Sequence, residues 1–539
     1  MSNDESRSFD PDKFRLRRFV ERLEQMDELE VHDETVALAD LSPIIEGSSK
    51  AVLFRKAGPE GAELVANVNG SRRRLAAAFD VAEKELPSEL ARRMANPQPV
   101  HYVSSDVAPV HDVILTGDDA DLTRLPFHPQ HELDGGTYIS AAIDYSIDPD
   151  TGVTNVGCRR LSLRNRREAG TNVTAPSDLR RIYRGCVARG ERLPINFAVG
   201  GHPVDYMAAG IRIPVPDEFA MVATLRGEPL HLVKGVTNDV PVPADAELVI
   251  EGYLEEKGYV EPEGPYGEYA GYYGPMHFDP VFKVTAITMR KDALHQSLLH
   301  GAGRAMQRVE SGTMGAVRME SNAIRILKSA GIEATAAHVP VASAECQHLR
   351  VAIKQTRHGL ARNAINLLFG ALLPLKHIHV VDDDVDVFDE HAMEWAMATR
   401  FQADRDIVLV SGMMGMPMDP SLEHGPTGAK AGFDLTLPHF SKDTLLGTVA
   451  VATQFSGSAR HQTVEAAIER EPLHFAEIMQ AVGSRDGREV ALALDALRAA
   501  GRLVRDDLGR YILGTAEPGA TGLTAEALDH LSHDPNAST

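Results

Sequence analysis

The stretch from Pro262 to Tyr273 limits local folding more tightly than any other part of this chain. It holds two carboxylates five residues apart, Glu263 and Glu268, with Gly, Pro, Tyr and Gly between them. Proline removes a backbone donor and glycine costs backbone entropy, so a regular helix or strand accommodates the segment poorly. On a helix the two glutamates would lie on different faces, and on a flat strand they would point to opposite sides. We therefore expect a kinked loop that directs both carboxylates into one pocket.

Such an acid pair can divide the roles of acid and base. Burial and crowding raise the pKa of one carboxyl group while the other stays charged. The alternative is an acidic surface turn, because carboxylates are common in loops.

The composition is that of an ordinary globular protein, since 43% of the 539 residues are hydrophobic and 24% are charged. The length allows about three to four domains. The net charge of −22 disfavours non-specific binding to nucleic acid or to an anionic membrane. A local basic pocket for an anionic substrate remains compatible with that charge.

Cysteine usage and hydropathy indicate the compartment. The three cysteines, Cys158, Cys186 and Cys346, show neither CxxC nor zinc-site spacing. We therefore expect a reducing, cytoplasmic environment without a disulfide framework. The segment from Met1 to Phe19 lacks the apolar core of a signal peptide, and no apolar run approaches the roughly 18 residues of a membrane span.

Periodicity divides the chain into regions of different character. The second region is predicted to be a β-barrel or sandwich with inserted helices, and the fourth has the helix, helix, hairpin order of a winged helix. The predicted regions are 1–100, an N-terminal α/β domain; 101–325, strand-rich; 326–460, α/β; 465–515, a winged-helix-like module; and 516–539, a flexible tail.

Several single elements are predicted with defined ends. Phe14 to Met26 has helical spacing, and Arg72 to Met94 also predicts a helix, with an interruption at Pro87 as the alternative. Helices are expected from Phe475 to Val482 and from Glu489 to Ala500, before a hairpin that ends near Leu513.

Other segments carry candidate chemistry that is weak when taken alone. Asn155 and Arg160 follow a predicted strand, where arginine could bind a carboxylate and asparagine a metal, or both could simply lie at the surface. Glu218 opens a helix after a proline-rich entry, a place that the helix dipole favours without any catalytic role. The run from Asp382 to Asp384 could bind a divalent cation or cap a strand in solvent. Lys430 could hold a phosphate or be solvated. No phosphate-binding or dinucleotide-binding glycine motif is present.

Taken in order, these motifs resemble the UbiD-type decarboxylases over about residues 10–460. The resemblance rests on Asn155 to Arg160, Pro194 to Pro203, Asp217 to Phe219, Arg226 to Lys234, Pro243 to Gly252, the two-glutamate loop, Lys376 to Asp384, Trp395 to Arg400 and Asp404 to Val408.

The resemblance implies an α+β and α/β multidomain fold. Residues 101–325 would be a split β-barrel that binds prenylated flavin mononucleotide (prenylated FMN), and residues 326–460 an α/β oligomerisation domain, with the winged-helix-like module as an appendage. It also implies Mn²⁺, K⁺, a homodimer or larger homo-oligomer, and a flavin prenyltransferase that supplies the cofactor.

The reaction implied by the resemblance is reversible, non-oxidative decarboxylation of an aromatic, heteroaromatic or α,β-unsaturated carboxylic acid. Arg160, Glu263 and Glu268 would form the family's catalytic triad, with Glu268 as the proton donor. The residues implied to bind the cofactor are Asn155, Gly157, Cys158, Arg159, Arg160, Thr174, Glu218 and Lys430. Asn155 and Glu218 would also be metal ligands.

The chain departs from the family pattern in two places. Where the family usually has a histidine after a glutamine, this chain reads Thr174 to Arg180 without one, so Asp178, Thr174 or water would supply the third metal ligand. Where the family commonly has Gly-Arg-Pro-Pro, this chain carries His300, Arg304 and Arg308. We expect these three residues to shape the substrate pocket, or else to contact only protein.

The winged-helix-like module raises an alternative function, a flavin-binding or DNA-binding regulator built on a decarboxylase scaffold. Its arginines are diluted by acidic residues, which weakens phosphate attraction and favours a role in subunit packing or as a lid. A carboxylase working in reverse would use the same residues as the decarboxylase.

Overall fold

The computed structural model describes residues 9–211, 217–298, 300, 310–343, 346–373, 375–422, 425–438, 447–455, 459–506 and 508–515. It divides into two compact units, Met1–Thr436 and Leu437–Thr539. None of the described helices is long and apolar enough to cross a membrane.

The first part of the larger unit packs helices against a small sheet. Its elements are α1 (Leu16–Gln25), β1 (Leu29–Val36), α2 (Leu41–Gly47), β2 (Ala51–Ala57), β3 (Ala62–Ala66), α3 (Arg72–Phe79) and α4 (Leu86–Met94). In α1 the buried residues recur at helical spacing, Leu16, Phe19, Val20 and Leu23, so one face of the helix enters the core.

The central part of this unit is rich in strands. Its elements are β4 (Val100–Tyr102), β5 (Val113–Thr116), β6 (Tyr138–Ile147), β7 (Thr154–Asn165), β8 (Glu168–Thr171), α5 (Asp178–Arg189), β9 (Leu193–Val199), α6 (Pro203–Ala209), α7 (Glu218–Arg226), β10 (Leu230–Lys234), β11 (Pro241–Pro243), β12 (Leu248–Leu254), β13 (Glu261–Glu263), β14 (Tyr266–Gly267), β15 (Tyr273–Gly274), β16 (His277–Asp279), β17 (Val281–Met289) and β18 (His295–Ser297).

Six of these strands close into a barrel. The order is β12-β9-β6-β7-β8-β17, and β12 also pairs with β17, so the sheet returns on itself; β5 pairs with β17 next to β8, along the edge of β17 that does not face β12. Closure of an antiparallel sheet removes its free edges. The barrel prediction is therefore confirmed, and the sandwich alternative is wrong.

An irregularity in the barrel lies beside Arg160. Leu161 pairs with Ile139 and Arg159 pairs with Ala142, so two residues of β6 lie opposite Arg160 alone. Such a bulge increases local twist and re-aims the neighbouring side chains.

The last part of the larger unit is a sheet with flanking helices. Its elements are α8 (Glu310–Ser329), β19 (Ala334–His338), β20 (His348–Ile353), α9 (Leu360–Ala371), β21 (His377–Asp382), α10 (Glu390–Arg400), β22 (Ile407–Met414) and β23 (Thr427–Leu435). The sheet order is β19-β20-β21-β23-β22, and β21 runs parallel to both β20 and β23. The α/β character predicted for this region is confirmed.

The smaller unit has a core of its own, in which Ile478, Val490 and Leu494 are buried. Its described elements are α11 (Val464–Arg470), α12 (Phe475–Val482), α13 (Arg488–Ala499), β24 (Leu503–Arg505) and β25 (Tyr511–Leu513). The antiparallel pairing of β24 with β25 confirms the predicted hairpin. The predicted tail, 516–539, lies outside the described residues.

The predicted helix from Arg72 to Met94 forms as two helices, α3 and α4. The chain leaves α3 at Asp80, whose φ of 58° is left-handed and ends the helix. Pro87 lies in the first turn of α4, where proline needs no backbone donor. The interruption therefore precedes the proline instead of being caused by it.

Candidate active site

Arg160 brings together the two glutamates of the central loop. Its Nε and Nη2 atoms donate to Oε1 and Oε2 of Glu263, each at 3.0 Å, and its Nη1 donates to Oε1 of Glu268 at 2.8 Å. The guanidinium carbon also lies 4.1 Å from the ring centre of Tyr266. The kinked loop predicted from the sequence therefore does direct both carboxylates to one place, and the surface-turn alternative is wrong.

Two short hairpins hold the loop in place. β13 pairs with β16 and β14 pairs with β15, so Glu263 ends one strand and Glu268 follows another. The preceding loop braces them, because the amide of Gly267 donates to Oδ1 of Asp134 at 2.9 Å and the amide of Gly135 donates to the carbonyl of Pro265 at 2.8 Å. The acid pair thus rests on a rigid support.

Glu263 is the more tightly held of the two acids. It is 2% exposed, and Nε2 of His277 lies 3.0 Å from its Oε2. Burial favours the neutral carboxyl group, but the contact with His277 and the hydrogen bonds from Arg160 outweigh burial and lower the pKa of Glu263 to about 2. Arg160 holds Glu268, in contrast, through Oε1 alone.

A second polar cluster lies at the beginning of β7. The amide of Asn155 donates to Oδ2 of Asp144 at 2.6 Å, and Nε of Arg159 lies 3.0 Å from Oδ1 of the same carboxylate. Glu218 begins α7 and is tied to the strand, because its Oε2 accepts from the amide of Val156 at 2.6 Å. The structure therefore places Asn155 and Glu218 on adjacent elements, as the resemblance implies.

The acids of this cluster favour a cation. Burial, helped by the neighbouring charges of Asp144 and Asp178 and opposed by the hydrogen bond from Val156, raises the pKa of Glu218 to about 7. Burial likewise raises the pKa of Asp144 to about 6. Carboxylate and amide oxygens are hard donors, and a divalent cation would relieve the repulsion between these acids. The donor set therefore fits an oxygen-ligated metal ion.

The other residues predicted to bind the cofactor or metal are less closely joined. Gly157 and Cys158 lie on β7 between the two clusters. The hydroxyl of Thr174 donates to Oδ1 of Asn172 at 2.8 Å. Asp178 begins α5, and its largely exposed carboxylate lies 3.3 Å from Nε of Arg181. Its contact with Asn155 or Glu218 through a shared metal stays a prediction.

Lys430 lies on β23 in the five-stranded sheet. Its ammonium group donates to the carbonyl of Leu373 at 2.8 Å, and burial lowers its pKa. The solvated alternative is wrong, because Lys430 is 3% exposed, while its predicted contact with a phosphate stays a prediction. Asp382 and Asp384 form ion pairs with the buried Arg400, at 3.4 and 2.7 Å, while a cation at the run from Asp382 to Asp384 stays a prediction.

His300 lies near the triad. Its ring centre is 6.2 Å from that of Tyr266, and burial together with the charges of Arg160 and His131 lowers its pKa to about 3. A neutral imidazole at this position could contact a substrate. Arg304 and Arg308 lie outside the described residues.

Sequence reasoning missed three residues of these clusters, Asp144, His277 and Asp279. Asp144 is a fully buried charge in the otherwise mostly apolar strand β6, which is a signal that could have been noticed. His277 and Asp279 alternate along β16, but only the pairing of β13 with β16 sets them beside Glu263.

Three family models cover most of the chain. They describe the N-terminal domain, the Rift-related domain and the C-terminal domain of 3-octaprenyl-4-hydroxybenzoate carboxy-lyase (UbiD), and they match residues 20–94, 101–303 and 312–435. The anhydromevalonate phosphate decarboxylase of Methanosarcina mazei is 30% identical over 423 residues, which cover 78% of this chain and 95% of the relative. The corresponding enzyme of Methanothermobacter thermautotrophicus is 28% identical over 427 residues, 78% of this chain and 97% of the relative.

Solved structures agree with these matches. The UbiD-class enzyme HmfF from Pelotomaculum thermopropionicum, solved in complex with FMN, has a TM-score of 0.76 and 31% identity, and the match covers 81% of this chain and 97% of that one. The 3,4-dihydroxybenzoic acid decarboxylase of Klebsiella pneumoniae has a TM-score of 0.73 and 26% identity, with coverage of 82% and 98%. The resemblance drawn from the motifs is confirmed: this chain belongs to the UbiD family of carboxy-lyases.

Proposed function

We propose that this protein uses prenylated FMN to decarboxylate, reversibly and without oxidation, a small aromatic, heteroaromatic or α,β-unsaturated carboxylic acid. The observation that carries the proposal is the convergence of Arg160, on a strand of the closed barrel, with Glu263 and Glu268, which lie 103 and 108 residues further along the sequence. HmfF, a relative of the same fold, was solved with FMN and, in an evolved dimeric form, with prenylated FMN.

Strand β7 would hold the cofactor. Asn155, at one end, belongs to the cluster suited to a cation, and Arg160 belongs to the acid cluster. Five residues of extended strand separate them by roughly 17 Å. Asn155 and Glu218 would hold the phosphate of the flavin mononucleotide through the cation, and Gly157, Cys158 and Arg159 would line the rest of the cofactor. When bound, the modified flavin supplies an electron sink for the carbon that loses CO₂.

The side chains of Arg160, Glu263 and Glu268 would orient the substrate carboxylate and transfer the proton. Arg160 would orient the substrate carboxylate while it keeps both glutamates in place. When the bond between carbon and carboxylate breaks, the electron pair remains with the substrate carbon, and a proton must replace CO₂ there. We assign this proton transfer to Glu268, because Arg160 holds it through one oxygen and the other can face the substrate. Glu263, held through both oxygens, would stay ionised.

Asn155 and Glu218 would ligate Mn²⁺ near the cofactor phosphate, with Asp178, Thr174 or water completing the set and K⁺ as a further ion. Asp144 would add negative charge from behind these ligands. The cation would chiefly neutralise phosphate and acid charge.

The acid that the site accepts depends on the residues around the reacting carbon. The relatives include enzymes named for a phosphorylated acid and for dihydroxybenzoic acid. His300, with Arg304 and Arg308, would select among such acids. We further propose a cytoplasmic homo-oligomer that receives its cofactor from a flavin prenyltransferase. The family match favours this enzyme over the regulator, because all three family models describe a carboxy-lyase.

The test is a matched pair of variants on protein co-expressed with a flavin prenyltransferase. Glu268→Gln should abolish CO₂ release and deuterium exchange on a panel of aromatic and unsaturated acids, yet keep the absorbance of the bound flavin. The control is Glu261→Gln, which changes a half-exposed carboxylate on β13 and should leave turnover unchanged. Full activity in Glu268→Gln would remove Glu268 from the mechanism, and a wild-type protein that binds no flavin would refute the proposed function.

A further inference from the structure

The ring of His277 contacts Glu263 at Oε2, an oxygen that also accepts a hydrogen bond from Nη2 of Arg160. β13 and β16 pair so that Glu263 and His277 are direct partners in the register. Nε2 of His277 lies 3.0 Å from Oε2 of Glu263 and 3.5 Å from Oδ2 of Asp279, while Nδ1 lies 3.1 Å from the carbonyl oxygen of Pro275.

This geometry fixes the protonation state of the ring. A carbonyl oxygen only accepts hydrogen bonds, so Nδ1 must carry a proton. Nε2 faces two carboxyl groups, and the nearer one, Glu263, is already held as an anion by Arg160. Nε2 therefore carries a proton as well, and His277 is an imidazolium. Its close contacts with the carboxylates of Asp279 and Glu263 accordingly raise its pKa to about 10.

Asp279 completes the arrangement. It is fully buried, and its Oδ2 lies 3.5 Å from Nε2 of His277. Burial raises the pKa of Asp279, while the charge of His277 opposes that rise. An imidazolium between two buried carboxyl groups is thus stabilised from both sides.

The three residues also have the spacing of a metal site, because their ligand atoms lie within 4.8 Å of one another. A metal ion would need a neutral imidazole. It would also have to displace Arg160 from Glu263. The positive charge at this position is therefore better supplied by the histidine.

We propose that His277, backed by Asp279, is a positioning residue that keeps Glu263 ionised and turned towards Arg160, so that proton exchange with the substrate carbon falls to Glu268. The effect on turnover rests on the proposed decarboxylase function, whereas the charged state of His277 beside Glu263 does not. Among the described residues, two carboxylates face the ring: Glu263 from β13 and Asp279 from the same strand as His277. Arg160, on β7, lies on Glu263 and acts on the ring through that carboxylate.

The first test measures the protonation of the His277 ring and does not depend on turnover. Histidine-labelled NMR of the intact protein at pH 8.5 should show an imidazolium signal that disappears in His277→Gln, and Asp279→Asn should move its titration to lower pH. A neutral His277 ring at that pH would overturn the proposal, whatever reaction the protein catalyses. So would Mn²⁺ or Zn²⁺ binding that His277→Leu abolishes.

The second test uses turnover. In His277→Leu, Glu263 loses one cationic partner, so the acid limb of the kcat profile should move to higher pH. Looser positioning of Glu263 should also lower kcat roughly tenfold or more at every pH. His277→Gln retains a donor near the position of Nε2 and should recover part of the loss. KM, flavin absorbance and the Glu261→Gln control should not change.

An unchanged pH profile in a folded, flavin-loaded His277→Leu protein would refute the positioning role. If no acid is decarboxylated by the wild-type protein, the proposed function fails and the NMR measurement still decides the state of His277. The NMR result also decides the matter if His277→Leu does not fold.

Discussion

Gly267 lies between Glu263 and Glu268, the two glutamates proposed as catalytic, and a single methyl group there should disturb the site. A Cβ atom built on Gly267 would lie 2.4 Å from Cγ and Nδ1 of His131. The backbone of Gly267 is not left-handed, so Gly267→Ala would cause steric conflict without conformational strain.

The ring of His131 has little freedom to yield. Its Nδ1 lies 3.1 Å from Oδ2 of Asp134, and its Nε2 donates to the carbonyl of His300 at 3.2 Å. The contact is about 1 Å shorter than van der Waals separation, so the loop that carries Glu268 must move by a comparable distance. A misplacement of about 1 Å can cost about a hundredfold in rate, and overpacking typically costs about 1–3 kcal/mol of stability.

The assay is deuterium exchange or CO₂ release at saturating acid, with flavin content measured by absorbance. Gly47→Ala is the control, because no atom lies within 4 Å of its built Cβ, and it should leave the rate unchanged. The double variant Gly267→Ala, His131→Ala removes the ring and should recover much of the loss caused by the methyl group. A rate for Gly267→Ala within threefold of wild type, roughly 0.7 kcal/mol, would refute this reasoning.

Three further outcomes follow from charges buried in the fold. The pKa of Glu263 is lowered from 4.5 to about 2 on folding, so its contribution to stability is present above pH 4.5 and is lost as the pH falls towards 2; Glu263→Gln should flatten the acid limb of a stability curve measured by urea unfolding. The pKa of Glu218 is raised to about 7, so protons compete with the cation below that value, and Mn²⁺ affinity measured by calorimetry should fall by up to roughly tenfold per pH unit below 7. Glu218→Gln should remove this dependence between pH 7 and about 6, the pKa to which Asp144 is raised. Arg226 donates to both oxygens of Asp205 at 2.7 Å in the core, so Asp205→Asn should lower the free energy of unfolding by about 3–5 kcal/mol, measured by thermal or urea unfolding. The control Asp239→Asn, which changes an exposed ion pair with Lys234, should lower it by less than about 0.5 kcal/mol. A loss for Asp205→Asn no larger than that of Asp239→Asn would contradict the buried-pair argument.

Local chemistry made part of this protein predictable from sequence. The glycines and the proline around Glu263 and Glu268 excluded a regular element, and the structure has short hairpins and turns there. The apolar spacing from Phe14 to Met26 predicted α1, because residues three and four apart share a helix face.

Other features depended on contacts between distant segments. Arg160 meets Glu263 and Glu268 across 103 and 108 residues, and the irregular pairing of β6 with β7 lies at that position. No local pattern near Arg160 contains this information, because strand pairing and barrel closure decide which side chains become neighbours.

The charge states of the ionisable side chains also depend partly on the sequence and partly on the fold. The sequence by itself determined which ionisable groups exist and that two carboxylates would share one kinked loop. Only the tertiary structure decided that Asp144 would be buried beside Asn155 and that His277 would lie against Glu263. The physical reason is that the pKa and role of a side chain depend on burial and on the charges within a few ångströms, and the fold brings both together from segments far apart in the chain.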